Sequence, residues 1–247
     1  MTKITASAFL ITLNCEETLE AALQSVAGFA QIVVVDSGST DKTLQIAKQY
    51  ADLVMHHDFA GFGPQKEFAL RLCTQKWALN LDADEVISSV LTAEIEQLIE
   101  QSSVDGLLVP RIDMVFGKPA HPWTHKTILQ RFFRTEKTNY DPKQVHESVR
   151  LEGKWGRAKG VILHRSDPDI KTRLEKIQLY SSLRAKDKAA AGKRPSLLKL
   201  LLAGPLIFLK TFFIRRHFLN GRGGFVLSVM NGHYAFLKEA KLFEKTR

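Results

Sequence analysis

The first hundred residues alternate between short apolar runs and longer stretches in which apolar side chains recur with helical spacing. This pattern predicts strands near 7–13, 31–36, 53–57 and 77–82, and helices near 17–27, 41–50, 64–74 and 92–101. Thr40 or Asp41 suits the cap of the second predicted helix, and Thr92 suits the start of the fourth. Alternation through short loops favours right-handed crossovers and a parallel sheet with helices on both faces.

The pattern changes after about residue 104. Short apolar runs separated by Pro, Gly and charged loops predict further strands at Leu107–Val109, Met114–Phe116, Ile128–Leu129 and Val161–Leu163. From about residue 169 to the end the spacing is helical. We therefore expect an α/β domain over residues 1–165 and a helical region over 166–247.

Carboxylates gather where the fourth predicted strand ends. Asp82-Ala83-Asp84-Glu85 directly follows the apolar stretch Trp77–Leu81. Carboxylates that are close together and partly buried repel one another unless a positive partner joins them. A hard divalent cation, Mg²⁺ or Mn²⁺, is the simplest such partner, and such ions commonly carry phosphates. The cluster predicts a metal–diphosphate site, and its alternative interpretation is a helix cap or a turn.

Two other predicted strands end in the same way. The run Ile32–Val35 ends at Asp36 and is followed by the turn 37–41, whereas the run Ala8–Leu13 ends at Asn14 with Glu16 close behind. Open α/β sheets bind ligands at the carboxyl ends of their strands. We expect these three polar strand ends to form one binding edge.

Charge divides the chain into an acidic and a basic half. Residues 1–149 hold 13 Lys/Arg and 19 Asp/Glu, whereas residues 150–247 hold 22 and 7, within an overall charge of +9. The basic half must meet an anionic partner, and a nucleic acid, a membrane surface or a phosphorylated acceptor would serve. Two cysteines make no disulfide framework, and the run Ala8–Leu13 is too short for a signal peptide, so we expect a cytoplasmic protein.

A very apolar stretch lies within the basic half. Leu197 to Ile214 contains two lysines and a central Gly204-Pro205 pair, and basic residues flank it. These features predict two short amphipathic helices lying on the headgroup region of an anionic membrane rather than one transmembrane span. The alternative is an ordinary core helix that packs on the sheet.

Several motifs resemble those of a known family, the family-2 inverting glycosyltransferases of GT-A fold. The resemblance rests first on Ile11–Asn14 with Glu16, Val33–Asp41 and Leu79–Glu85. Five further motifs resemble the bacterial lipopolysaccharide core β-glucosyltransferases within that family: Gly63–Lys66, Arg131–Arg134, Val145–Glu147, Leu163-His164 and Leu219–Gly224. This resemblance implies a GT-A nucleotide-sugar-binding fold with a mostly parallel sheet, followed by a helical, basic extension.

The resemblance also implies an activity and the residues that carry it. A hexose, with UDP-glucose as the expected donor, would be joined through a β-linkage to a heptose of the lipopolysaccharide inner core at the inner-membrane surface, and no nucleic acid would take part. Mg²⁺ or Mn²⁺ would be held by Asp84 with His164. Glu147, assisted by His146, would be the base, with Asp141 and Asp113 as rivals, and Arg131 and Arg134 would bind the acceptor or a phosphate. The donor-binding set would be Thr12, Leu13, Asn14, Glu16, Asp36, Ser37, Gly38, Lys66, Arg71, Asp82, Ala83 and Asp84.

Three other functions fit parts of the pattern. A related transferase would use another UDP-sugar or a lipid-linked acceptor. A nucleic-acid-binding protein would use the basic half, although the apolar stretch 197–214 does not suit a solvated basic surface. A non-catalytic nucleotide-sugar binder would have no need of the intact Asp82-Ala83-Asp84 motif.

Overall fold

A computed structural model describes residues 3–140, 149–165 and 169–246. The chain divides into two compact units. The first comprises Met1–Ile112 with Lys126–Arg165, and the second comprises Asp113–His125 with Ser166–Arg247. The segment 113–125 thus packs with the helical region. The domain boundary after residue 165 stays a prediction.

The strands of the described residues are β1 (Ile4–Thr12), β2 (Phe29–Asp36), β3 (Leu53–His56), β4 (Trp77–Asn80), β5 (Glu85–Ile87), β6 (Gly106–Val115), β7 (Lys118–Pro119), β8 (Thr127–Arg134), β9 (Thr138–Tyr140), β10 (Val149–Leu151), β11 (Trp155–Arg157) and β12 (Ile162–His164). The α-helices are α1 (Leu19–Ser25), α2 (Thr43–Tyr50), α3 (Phe62–Arg71), α4 (Ser89–Gln101), α5 (Ile170–Ala190), α6 (Leu197–Leu209) and α7 (Gly221–Lys245).

The main sheet of the first unit combines a parallel and an antiparallel part. Its strands lie in the order β3-β2-β1-β4-β8-β6-β12-β5. The four strands β3, β2, β1 and β4 are parallel, as the alternating pattern predicts. From β8 onward the pairing is largely antiparallel, because β8 runs against both of its neighbours and β12 runs against β5.

The central strand β1 is buried on both faces. Ala8 and Leu10 face the cluster that includes helix α1, and Phe9 faces the opposite cluster with Val33 of β2. All four side chains are inaccessible to solvent. A strand covered on both faces reads as a continuous apolar run, which explains why Ala8–Leu13 was recognisable as a strand.

Several predicted boundaries in the first unit are wrong. Strand β4 ends at Asn80, so that Asp82 lies in a loop, and the short strand β5 was not predicted. Helix α4 begins at Ser89 rather than at Thr92, because the Ser88 hydroxyl caps it by accepting a hydrogen bond from the amide of Leu91 (3.3 Å). The predicted strands Leu107–Val109 and Met114–Phe116 fall on one strand, β6, which ends at Val115, one residue before Phe116.

Helix α2 also begins differently from the prediction. Its N-cap is Lys42 rather than Thr40 or Asp41. The Asp41 carboxylate still accepts a hydrogen bond from the amide of Thr43 (2.9 Å), so it supports the first turn from one position further back.

The second unit contains helices α5, α6 and α7. Helix α5 is capped by Asp169, which accepts a hydrogen bond from the amide of Thr172 (2.7 Å). The predicted break at Gly204-Pro205 is wrong, since α6 runs through Pro205 and continues as a π-helix over Lys210–Ile214. Helices α6 and α7 approach closely at Gly204 and Gly232, where a Cβ on Gly232 would lie only 2.8 Å from the Gly204 carbonyl oxygen. This packing offers a reason why the helix continues through Pro205.

The stretch Leu197–Ile214 is the candidate membrane span of the described residues. Length and composition identify it, with a mean hydropathy of 2.0 over 18 residues, and only 11% of it is buried within the chain. The core-helix interpretation is therefore wrong. Eight of its apolar side chains are exposed: Leu197, Leu198, Leu201, Leu202, Leu206, Leu209, Phe213 and Ile214.

Candidate active site

The turn between β4 and β5 carries the carboxylate cluster and is closed by its own hydrogen bonds. The amide of Asp82 donates to Oε2 of Glu85 (3.0 Å), and the amide of Glu85 donates to the carbonyl of Asp82 (3.0 Å). The Glu85 side chain is completely buried, whereas 32% of the Asp82 side chain is exposed. This turn therefore places two carboxylates side by side at the end of a central strand.

The positive partners of these carboxylates are side chains of the protein itself. Arg131 of β8 donates to Oδ2 of Asp82 (2.5 Å) and to Oε1 of Glu85 (2.8 Å). Lys66 of α3 lies 2.9 Å from Oδ1 of Asp82, and Arg111 lies 3.6 Å from Glu85. Asp82 and Glu85 therefore already have cationic partners within the described residues, and a divalent cation at the cluster stays a prediction.

Within this charged network the pKa values of the two carboxylates are shifted in opposite directions. Burial opposes ionisation of Asp82, but Arg131 and Lys66 outweigh it and hold the pKa of Asp82 below its usual range. Burial dominates at Glu85, where the pKa is raised despite Arg131 and with a further contribution from the charge of Asp82. Asp82 is thus the ionised member that anchors Lys66 and Arg131.

Asp84 lies outside this network and contacts a different partner. Its Oδ2 is 3.2 Å from Nε2 of His164, which β12 brings into register opposite Glu85 of β5. Both side chains are partly exposed, 37% for Asp84 and 22% for His164. The pair predicted from the sequence as metal ligands therefore lies together at the end of the sheet.

Asp84 and His164 fit a divalent cation only if other groups complete its coordination. No cluster of three or more His, Cys, Asp or Glu able to hold a metal occurs within 3–140, 149–165 and 169–246. Asp84 and His164 would supply two ligands, and a bound diphosphate and water would supply the others. Such partial coordination is typical of Mg²⁺ sites that bind through one or two carboxylates and substrate phosphates.

Asp36 organises the turn that follows β2. Its carboxylate accepts hydrogen bonds from the Thr12 hydroxyl (2.9 Å), the Ser39 hydroxyl (2.5 Å), and the amides of Gly38 (2.9 Å) and Ser39 (2.8 Å). Burial raises the pKa, but the hydrogen bonds, with those from Ser39 the largest, leave the pKa of Asp36 lowered overall. Three of these hydrogen bonds come from the turn and one from β1, so Asp36 holds the turn against the neighbouring strand. Its contact with the nucleotide stays a prediction.

The loops after β1 and β2 are tied together. Oδ1 of Asn14 accepts from the amide of Thr40 (2.9 Å), and Oε2 of Glu16 accepts from the amide of Lys42 (2.9 Å). Asn14 adopts a positive φ of 49° in this contact, and the neighbouring Leu13 side chain is 54% exposed. The predicted donor-binding residues of these two strand ends thus form one continuous rim.

Sequence reasoning missed Gln65, which links this rim to α3. The Gln65 side chain is fully buried and donates to the Ser37 hydroxyl (3.0 Å) and to the carbonyl of His57 (2.9 Å). Its place beside Lys66 in the Gly-Pro-Gln-Lys motif was the available signal. Nearby, a cavity of about 500 Å³ is lined by His57, Ala60, Gly63, Pro64, Glu67, Phe68 and Tyr140.

Two predicted cations are not brought to the carboxylate turn. Arg134 pairs with Trp77 at the first residue of β4, with its guanidinium 4.5 Å from the indole centroid and its Nε 3.3 Å from Asp105. Arg71 is half-exposed and donates to Glu67 (2.7 Å) and to Asn139. The structure therefore gives both arginines local partners away from Asp82.

The predicted base falls in a part of the chain that the structure does not describe. Glu147, His146 and the rival Asp141 lie outside the described residues. The other rival, Asp113, belongs to the second packing unit. The assignment of Glu147 stays a prediction.

Comparison with known proteins identifies the class to which this fold and site belong. Residues 7–159 match the family model described as glycosyl transferase family 2, and the chain belongs to this family of enzymes. The fold is also similar to that of a solved structure, S. aureus TarS 1-349 in complex with UDP-GlcNAc, at a TM-score of 0.50 and 17% identity over 96% of this chain and 89% of that one. The predicted GT-A fold with a helical C-terminal region is confirmed.

Curated relatives cover nearly the whole chain. The lipopolysaccharide core biosynthesis glycosyltransferase LpsC of Rhizobium meliloti (strain 1021) is 34% identical over 98% of this chain and 93% of its own length. The uncharacterized glycosyltransferase RP128 of Rickettsia prowazekii (strain Madrid E) is 34% identical over 96% of this chain and 86% of its own length. The predicted resemblance to lipopolysaccharide core transferases is confirmed.

Proposed function

We propose that the protein is a metal-dependent inverting hexosyltransferase that transfers glucose from UDP-glucose to a heptose of the lipopolysaccharide inner core, forming a β-linkage. The likeness to LpsC over nearly the full length of both chains supports the acceptor class. The single observation that carries the donor chemistry is the position of Asp84, which is left out of the Lys66–Arg131 network and lies 3.2 Å from His164. Another UDP-sugar or a lipid-linked acceptor remains the alternative within the same family.

The chain's own cations give the turn its shape. Lys66 and Arg131 neutralise Asp82, and Arg131 also donates a hydrogen bond to Glu85, so the chain's own side chains hold the turn in place. Asp84 and His164 would then hold the divalent cation, which when bound stabilises the negative charge on the leaving diphosphate. Because Lys66 and Arg131 are engaged with Asp82, we assign them positioning roles rather than direct roles in binding the diphosphate.

The reaction requires a base on the acceptor side. The acceptor hydroxyl attacks the anomeric carbon on the face opposite UDP, the new glycosidic C–O bond forms, and the bond from the anomeric carbon to the diphosphate oxygen breaks. The hydroxyl proton passes to the Glu147 carboxylate, with His146 as its neighbour in sequence. Inversion follows because attack and departure occur on opposite faces.

We further propose that the second unit holds the enzyme on the surface of the inner membrane. The exposed apolar side chains of α6 offer an apolar contact, and the exposed cations Lys210, Arg215 and Arg216 lie at its C-terminal end. Anionic lipids attract such clusters, while apolar side chains enter the headgroup boundary. A lipid-anchored acceptor would be presented at this surface.

UDP release from UDP-glucose with Mn²⁺ or Mg²⁺ tests the donor site. We expect Asp84→Asn to abolish release, because it removes a charged ligand, and Asp58→Asn, on a fully exposed carboxylate, to leave release unchanged. Full activity after complete chelation of divalent ions would contradict metal dependence.

In the same assay with acceptor, Glu147→Gln should keep donor binding but lower turnover about a hundredfold. If only Asp141→Asn does so, the base is misassigned.

A further inference from the structure

The second unit contains a cavity that the proposed transfer reaction does not use. It has a volume of about 340 Å³ and lies between residues of α5, the loop after it and α7. Four cations line it together with one carboxylate, one aromatic ring and one methyl group: Arg184, Lys188, Lys193, Lys238, Asp187, Tyr234 and Ala191. Its size is at the lower end of the range for small-molecule sites and suits a compact polar group.

The positive charge of this cavity is only partly balanced. Lys188 pairs with the buried Glu239, and Arg184 lies 4.0 Å from Asp187. Within the described residues, Lys193 and Lys238 have no ion-pair partner, although the Lys238 ammonium lies 5.9 Å from the centroid of the Tyr234 ring. Two cations are therefore left to attract an anion.

The crowding of like charges is visible at Lys238. Burial lowers the pKa of its ammonium, and the nearby positive charge of Lys188 lowers it further, against the opposing effect of Glu239. A bound anion would relieve this repulsion. A phosphate group suits the cavity because it is compact, carries up to two negative charges and accepts several hydrogen bonds.

The cavity is close along the chain to the exposed apolar helix of the same unit. Four residues after Lys193 the chain reaches Leu197, the first residue of α6, so the two lie within about 14 Å along the chain. Leu197, Leu198 and Leu201 are 73%, 66% and 61% exposed. A ligand with a phosphate in the cavity and an apolar part nearby would match both surfaces.

We propose that this cavity binds the phosphate headgroup of an anionic membrane lipid. The lipid part of this inference rests on the proposed membrane docking of the second unit. The cavity adds selectivity to that docking, because a phosphate monoester exposed at the membrane surface can enter it, whereas a phosphate shielded by a further headgroup cannot.

Vesicle flotation of the full chain tests the inference. Phosphatidylcholine vesicles carry either phosphatidic acid or phosphatidylglycerol at equal surface charge. Wild type should bind the phosphatidic acid vesicles more tightly, and the double variant Lys193→Gln with Lys238→Gln should remove this preference. Each lost lysine should weaken binding to phosphatidic acid vesicles about fivefold, the equivalent of about 1 kcal/mol. The matched control is Lys171→Gln with Lys186→Gln, which removes the same charge from exposed positions of α5.

The outcomes separate the possible explanations. Equal binding of wild type to both vesicles, or equal weakening by the two variant pairs, would overturn the cavity assignment while leaving general electrostatic docking intact. Calorimetric binding of inorganic phosphate without any preference for phosphatidic acid would show a site for free phosphate instead. UDP release by wild type without vesicles tests the transferase proposal separately, so failure of one is distinguishable from failure of the other.

Discussion

At the scale of single residues, Arg131 determines the form of the candidate active site. Its guanidinium is almost completely buried and contacts Asn80 (2.6 Å), Asp82 and Glu85. The two carboxylates raise the pKa of Arg131 against the effect of its burial, so the cation is permanently charged. Removing it would leave the buried Glu85 and the adjacent Asp82 facing each other with less compensation.

Stability measurements on two arginines of β8 test this role. We expect Arg131→Met to lower the free energy of unfolding by about 3 kcal/mol or more, the scale for breaking a buried ion pair. Arg134→Met, three residues further along the same strand, should cost about 1 kcal/mol or less, because Lys137 also neutralises Asp105. Urea unfolding measures both, and equal losses would contradict the special role of Arg131.

Asp36 predicts a specific dependence of stability on pH. Its folded-state pKa lies below the ordinary value of 3.8, so its hydrogen bonds stabilise the fold fully above pH 3.8 and less as the pH falls through the folded-state pKa. The difference in unfolding free energy between wild type and Asp36→Asn should therefore be largest near neutral pH and shrink in acid. A difference that stays constant or grows below pH 3.8 would show that ionisation of Asp36 contributes nothing.

The sequence pointed to many site residues but not to their mutual contacts. The polar strand ends identified Asp36, Asp82 and Asp84, because carboxylates directly after apolar runs are recognisable from sequence alone. For Arg131 the resemblance predicts a contact with the acceptor or a phosphate, whereas the structure shows a contact with Asp82. Its contact with Asp82 depends on β4 pairing with β8 across some fifty residues, and single-sequence patterns do not encode that pairing.

At the scale of elements, the α6 segment departs most from its prediction. Pro205 and Gly204 suggested two short helices, but the helix is continuous, because the close approach of α7 at Gly232 favours one packed helix. Local propensity alone cannot anticipate such a tertiary contact. The same limit explains the start of α4, where the Ser88 cap wins over Thr92.

Membrane binding by α6 is testable through its charged end. Wild type should float with anionic vesicles. Its binding should weaken in high salt but not vanish, because the apolar contribution is insensitive to salt. Lys210→Gln, Arg215→Gln and Arg216→Gln together should weaken binding further, by about 1 kcal/mol for each charge that contacts the surface. Lys3, Lys48 and Lys76, exposed in the first unit, provide the matched triple substitution to Gln. Equal recovery of all three proteins with neutral and anionic vesicles would remove this explanation of the basic half.

At the scale of the whole molecule, the chemistry of the two halves differs. The acidic first half carries the carboxylate turn, and the basic second half carries the exposed helix and the cationic cavity. Strand–helix alternation was sufficient to predict the parallel part of the sheet, and the resemblance of the motifs to family-2 glycosyltransferases predicted the GT-A fold. It could not predict that residues 113–125 pack with the helical unit, because that grouping depends on tertiary contacts such as the hydrogen bond from the His121 amide to Asn220 (2.7 Å).

Product analysis by proton NMR tests the central claim most directly. The full chain would be incubated with a divalent cation, a heptose-containing core acceptor, and UDP-glucose, UDP-galactose or UDP-N-acetylglucosamine in parallel. The account predicts transfer from UDP-glucose and an anomeric signal of a β-linked glucose on the heptose. An α-linked product, or no transfer from any of the three donors, would contradict it.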